Sequence, residues 1–485
     1  MLQDIVLLKR NNFNAVRCSH YPHSPVWYEL CDEYGLYVMD ECNLESHEIS
    51  YKDDVLPGND LRWTAACIDR ALSCVSVNKN SPSLVVWSTS NEAGYGENLA
   101  LMAACIRALD DTRLIHERQM SSIADMDSDT YSGIAWIERK ARRDPSRPFI
   151  LVEYGHAMGN AMGNIADYWE TFEKYPNLCG GFIWEWMDHG IRKQDENGRT
   201  RYLYGGDFGD VPNSKNFIID GIVTPEREIT PKLLEAKRVQ QSMDAAISDC
   251  AAGKIQITNK HYHVNASYLS AVWSVECDGA RVMDGRIECL DIEPGSAGEY
   301  ILPWRENDFV KPGEYFLNIR FVLRDSCAWA EAGYPVASCQ LKIRQREYPV
   351  QVCGQAPLEL EQNDAQITVS TGCAAYRLSK TTGCLESIKV RGTELLYQKP
   401  GGGLSFHAFR AFTDNDDHSS VTLEANGWGK IGLDSLRTEV HSVECIKSGS
   451  DRIEIAVHLT HLCRNEAGFE QYTVYTVEPD GQLQD

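Results

Sequence analysis

The chain is 485 residues long, which accommodates roughly two to four domains. Its hydrophobic share of 43% and charged share of 24% are those of an ordinary globular protein, and no window reaches the uninterrupted apolar span that a bilayer requires. A formal charge of −23 argues against nucleic acid or an anionic membrane as partner, because phosphate binding needs clustered lysine and arginine.

The amino terminus, MLQDIVLLKRNNF, has charges inside an amphipathic pattern; this predicts a helix over residues 2–12 rather than a leader. FNAVRCSHYP follows as a strand ending in Ser19-His20-Tyr21-Pro22. Apolar residues at helical spacing over 25–31 close at Gly35, and LYVMDECNLESHE is a buried strand with an acidic end. Residues 61–78 are helical in pattern, 84–87 form a β-branched strand, and a helix spans 97–109. Weaker strands cover 113–118 and 123–131, a charged helix lies around 134–142, and a strand over 149–152 runs into a helix near 161–174. GGFIWEWMDHG is the last strand of this series. Strand–helix alternation at this spacing predicts a parallel α/β barrel over 1–241. From residue 242 the texture changes to short strands split by turn residues, predicting an all-β sandwich to 345. Residues 346–357 form a linker, and a second β-rich region covers 358–485, with GGG at 401–403 as a loop. Seventeen cysteines are scattered singly without CxxC; without an export signal they predict free thiols in a reducing cytoplasm.

Two strands end in lone glutamates. LVVWSTSNEAGYG carries Asn91-Glu92, followed by glycines at 94 and 96 where backbone can approach a ligand closely; PFILVEYGHAMGN carries Glu153. A charge at the C-terminal end of a barrel strand is where this architecture places catalytic groups, although either residue could simply meet solvent. Two such carboxylates across one mouth are the apparatus of glycoside hydrolysis. Glu45 and His47 share a side of extended chain, so with Glu92 they make a candidate magnesium site, or else a solvated loop. No tetrahedral His/Cys set supports zinc. Trp184 and Trp186 alternate on a strand, one toward the barrel and one toward the helices, as sugar platform or core. His20 and His156 end strands near the mouth, as structural or functional groups.

The motifs NNFNAVRCSHYP, DECNLESHE, WSTSNEAGYG, VEYGHAMGN, GGFIWEWMD and YGGDFGD, in this order, closely resemble the barrel of the large bacterial β-galactosidases of glycoside hydrolase family 2. The likeness continues through AWAEAGY, RAFTDNDD and WGKIGLDSL. It implies a (β/α)8 TIM barrel, an immunoglobulin-like β-sandwich and part of a further β-sandwich domain. It implies Glu92 as general acid/base and Glu153 as nucleophile of a retaining β-galactosidase. His20, Asn91 and His156 would bind the sugar, Tyr131 would stand beside the nucleophile, and Trp184 would wall the galactose pocket. Glu45, His47 and Glu92 would hold Mg2+; Phe217 and Asp220 would hold Na+, Asp220 standing where the best-known members have asparagine. The implied partners are β-galactoside sugars, in a cytoplasmic homo-oligomer when full length. Met1 aligns with an internal position of the family, so two preceding β-domains and the first barrel strand are expected to be absent, as is the C-terminal half of the last domain. An isolated chain of this extent is expected to be poorly stable and at best weakly active. The rivals are a β-glucuronidase or β-mannosidase of the same family and a catalytically inactive remnant.

Overall fold

The computed structural model describes residues 1–47, 57–348, 357–397, 403–411, 414 and 427–484. They fall into two compact units, Met1–Glu347 and Tyr348–Asp485. The stretch 349–356 of the expected linker, 401–402 of the GGG loop and most of RAFTDNDD lie outside the described residues.

The first unit opens with helix α1 (Leu2–Arg10) and alternates strands with helices: β1 (Ala15–Cys18), α2 (Pro25–Tyr34), β2 (Tyr37–Glu41), α3 (Thr64–Asn78), β3 (Leu84–Ser88), α4 (Glu97–Leu109) and β4 (Leu114–His116). β5 (Asp127–Thr130), α5 (Ile134–Arg143), β6 (Phe149–Tyr154), α6 (Ile165–Lys174) and β7 (Leu178–Ile183) follow. The strands pair in parallel as β1-β2-β3-β4 and β5-β6-β7. Helix starts and stops follow local chemistry. Pro25 at the first turn of α2 is pre-set for helix, and Gly35 ends it in the left-handed region at φ 73°. Trp27, Cys31, Cys67, Ala71, Leu99 and Ile106 pack the helices onto the first four strands, while Met39, Val86, Met126 and Val152 fill the interior. No ladder joins β1 to β7 among the described residues, and a cavity of about 480 Å³ lies along them, lined by Val16, Trp169, Gly181 and Trp186.

A hairpin of β8 (Ile191–Gln194) and β9 (Thr200–Leu203) and a helix α7 (Pro231–Val239) complete the barrel region. Neither was anticipated from the sequence, yet α7 starts in a legible way: Thr230 caps the Leu233 N–H and Pro231 opens the helix. The sandwich then pairs β10 (Met243–Asp249), β11 (Lys254–Asn259) and β14 (Ala297–Ile301) in one antiparallel sheet. The other sheet runs β13 (Ala280–Ile287), β12 (Leu269–Cys277), β15 (Gly313–Leu323), β16 (Pro335–Arg346). Trp273, Trp304, Phe309, Tyr315 and Phe321 fill the space between them. The sandwich docks on the barrel region through backbone carbonyls: Arg10 donates to Trp329 O at 2.7 Å and Asn12 to Val336 O at 2.9 Å, while Asn12 also donates to Lys237 O of α7 at 2.9 Å.

The second unit has two antiparallel sheets, β17 to β21 between Glu359 and Glu394 and β22 to β25 between Arg437 and Gln484, sharing a core of Ile367, Val369, Leu378, Ile455 and Val457. Among the described residues fifteen cysteines are free thiols, but Cys373 is disulfide-bonded, which corrects the expectation of free thiols throughout. Sulfur pairing depends on tertiary distance, which scattered spacing in sequence does not reveal. No described helix is long and apolar enough to cross a membrane.

Candidate active site

The mouth is organised by a residue the sequence reading passed over. Arg17 points from β1 into the strand ends with its side chain only 3% exposed. Its guanidinium donates to both oxygens of Glu41 (2.8 and 3.1 Å), to Glu153 Oε1 (2.9 Å), to Asn91 Oδ1 (2.9 Å) and to the Val152 carbonyl (3.2 Å). Burial alone would push the Glu41 carboxyl up, but Arg17, with His20 and Ser88, overrides it and holds it at about 2. A planar fork with five donors is suited to several acceptors at once; a lysine ammonium is not.

Glu153 closes β6 and takes its second donor from Tyr131, whose hydroxyl bonds to its carboxylate and whose backbone N–H bonds to its carbonyl at 2.9 Å. Burial, then the Glu153 charge, raises the Tyr131 phenol above its ordinary value, so it stays a proton donor. Glu92 lies on the arm beyond β3 in different company. His47 Nε2 lies 3.5 Å from its Oε2, Arg118 Nη1 lies 3.4 Å from its Oε1, and Ser46 donates to its carbonyl. Its neighbour Asn91 spans from Arg17 to Glu45, donating to Glu45 Oε2 at 2.7 Å. One guanidinium therefore touches both Glu153 and the residue beside Glu92.

The other sequence-predicted residues gather at the same mouth. His20 bonds Glu41 at 2.8 Å and stacks on Trp184 with ring centroids 5.2 Å apart. Trp184 donates to Asp220 Oδ2 at 3.2 Å, and His156 Nε2 lies 3.6 Å from the same oxygen. The His156 ring meets Tyr131 on one side and Phe217 on another, each at 5.8 Å. Trp186 points away, donating to Asp4 Oδ1 of α1 at 3.1 Å; strand alternation is not the cause, because residues two apart on a strand share a face and both tryptophans lie beyond the end of β7. Gly96 behaves differently from expectation. A Cβ at Gly96 would come within 2.7 Å of Gly58 O, so this glycine accommodates the chain's own backbone rather than a ligand.

Buried charges beyond Arg17 and Glu41 were also missed. Glu185 is pushed up to about 9 by burial and then by Asp220, Asp188 and Glu153. His116, fully buried between Ser88 and Ser128, is pushed down to about 3 by burial and then by Arg17. Glu117 beside it accepts hydrogen bonds from Thr89 and Ser90. A charged residue inside or just beyond an apolar strand was the available signal for each.

As cation seats, the mouth offers hard oxygen donors. Glu45 is pushed up by burial and by the like charges of Glu92 and Glu41, a repulsion a dication would relieve, and His47 faces the same carboxylate. Among the described residues, no three acidic, imidazole or thiol groups converge as a ready coordination sphere. Asp220 is buried and its Oδ1 accepts no hydrogen bond, which suits an oxygen-bound cation.

The profile "Glycosyl hydrolases family 2, TIM barrel domain" matches residues 1–245, "Beta-galactosidase, domain 4" matches 255–344, and "Beta galactosidase small chain" matches 370–484. The β-galactosidase of Priestia megaterium is 34% identical over 498 residues, covering 100% of this chain and 47% of that protein. That of Vibrio cholerae is 33% identical over 506 residues, covering 100% of this chain and 48% of that protein. The chain thus spans about half the length of the curated relatives it matches. A solved β-D-glucuronidase from Dictyoglomus thermophilum is 23% identical over 48% of this chain and 46% of its own, with a TM-score of 0.35, too low to bear on which sugar is cleaved. A TIM barrel and β-sandwiches of these matched types place the chain in glycosyl hydrolase family 2.

Proposed function

We propose that the chain is the catalytic portion of a retaining exo-β-galactosidase that removes terminal non-reducing β-D-galactose from lactose-like substrates. The observation that carries this reading is that two strand-end carboxylates meet at one mouth, where Arg17 bonds Glu153 and also Asn91, the residue beside Glu92. Glu153 receives hydrogen bonds from Arg17 and Tyr131, two donors that fix the direction of its carboxylate. Glu92 is set on a separate arm, between His47 and Arg118. Glu153 attacks the anomeric carbon while Glu92 passes its proton to the departing glycosidic oxygen, leaving a galactosyl ester on Glu153. Glu92 then takes a proton from water, which attacks the ester and frees galactose. His20, Asn91 and His156 hydrogen-bond the sugar, Trp184 offers it an apolar wall, and Tyr131 steadies the nucleophile.

Glu45, His47 and Glu92 would hold Mg2+, which when bound would offset the repulsion between the two glutamates. Asp220 with the Phe217 backbone would hold Na+. The galactosidase relatives along the whole chain favour galactose over glucuronate or mannose, and the intact Glu92–Glu153 pair speaks against an inactive remnant. We place the protein in the cytoplasm, as a homo-oligomer within the longer protein that its relatives represent. Hydrolysis of p-nitrophenyl β-galactoside against the corresponding glucuronide tests the reading. Galactoside cleavage that is lost in Glu153→Gln supports it; cleavage of the glucuronide alone transfers the chain to the sister activity.

A further inference from the structure

The arm that carries Asn91 and Glu92 is tied at each step. Ser88 donates to Glu41 at 2.8 Å, the Thr89 N–H bonds to His116 O at 3.1 Å, and Asn91 is held by Arg17 and Glu45. The tie at Thr89 and Ser90 comes from Glu117, just beyond β4 and 1% exposed. Its Oε2 accepts from the Thr89 hydroxyl and from the Ser90 hydroxyl at 2.8 Å, and its Oε1 accepts from the Gln119 N–H at 3.0 Å. Three donors converge on one buried group, and a carboxylate accepts all three without needing a donor of its own. Two residues on, Glu92 adopts φ +43°, a left-handed conformation that a non-glycine side chain holds only where its surroundings impose it.

We propose that Glu117 is a positioning residue for the general acid/base: through the Thr89 and Ser90 hydroxyls it fixes the arm that aims the Glu92 carboxyl at the glycosidic oxygen. The inference rests on the reading of Glu92 given above. A misaimed acid affects only the step that needs a proton, so the defect depends on the leaving group. In Glu117→Ala, kcat/KM for an unactivated galactoside falls about tenfold to a hundredfold, within the range general acid catalysis supplies and a misplacement of about 1 Å removes. For 2,4-dinitrophenyl galactoside, whose leaving group departs unprotonated, kcat/KM stays within about threefold of the parent, and azide accelerates its kcat by replacing the base-assisted water. Glu117→Gln, which keeps an acceptor oxygen for the hydroxyls, recovers most of the loss. Ser90→Ala, which deletes one donor and keeps Glu117, shows the same split at smaller size and serves if Glu117→Ala does not fold. Asp110→Asn, a buried carboxylate bound instead to Trp87, Thr112 and Arg113, shows no split. Equal losses on both substrates would mean a purely structural role and overturn the inference. If the unsubstituted chain turns over neither galactoside, the glycosidase reading itself falls and this inference with it.

Discussion

Replacing Arg17 with methionine removes one cation and strands two buried anions, Glu41 and Glu153, whose side chains are 0% and 6% exposed. Glu41 sits at about 2 against an ordinary 4.5, a difference that at 1.36 kcal/mol per pKa unit stabilises the folded barrel by about 3 kcal/mol at neutral pH. Independent experience with broken buried ion pairs gives about 3–5 kcal/mol, so the two routes agree. The pH dependence supplies a sign. With its folded value depressed, Glu41 contributes full stability above pH 4.5, and this is lost as pH falls from 4.5 toward 2. In Arg17→Met, burial, the largest influence on Glu41, is opposed only by His20 and Ser88, so the Glu41 value rises and its contribution worsens as pH increases. Urea unfolding followed by tryptophan fluorescence at pH 5 and pH 8 reads both effects. The parent holds its Glu41 contribution constant between them, while the variant is about 3–5 kcal/mol less stable at pH 8 and has a smaller deficit at pH 5. A variant within about 1 kcal/mol of the parent, with the same pH slope, would refute the role assigned to Arg17.

Other perturbations follow from the same charges. Glu185 titrates at about 9 when folded, so stability is lost as pH rises from 4.5 toward 9; Asp220→Asn removes one cause of that shift, and melts across this range should become shallower in pH. His116, folded at about 3 against 6.5, costs stability as pH falls below 6.5; His116→Gln should relieve about 2 kcal/mol of that loss at pH 5, read as a smaller drop in unfolding free energy between pH 7 and pH 5. If Glu45 holds magnesium, Glu45→Gln and chelation should each depress galactoside hydrolysis, and chelating the variant should depress it little further; additive losses would separate Glu45 from the ion.

Much of the barrel was legible because its strands are continuous apolar runs and its helices carry a clean helical period. Glu92 and Glu153 stood out because each ends such a run with a charge. Arg17 did not, because its meaning lies in partners 24 and 136 residues away, Glu41 and Glu153, and no local pattern links them. Glu117 and Glu185 were hidden likewise: alone, each is a charge near a strand end, and only the fold shows which donors or anions surround it. The α7 helix could have been found from Thr230-Pro231, a cap followed by proline at the first helical position. The role of Gly96 could not, because its neighbour is backbone some 38 residues earlier (Gly58).

In the proposed double displacement Glu153 becomes covalently bonded to the sugar. Incubating the chain with a 2-deoxy-2-fluoro-β-galactosyl fluoride, then mapping peptides by mass spectrometry, tests it directly. One fluorogalactosyl adduct is expected, on the peptide containing Glu153, absent from Glu153→Gln and formed still in Glu92→Gln. An adduct on another carboxylate, or turnover of galactosides with no trapped ester and no loss in Glu153→Gln, would contradict it.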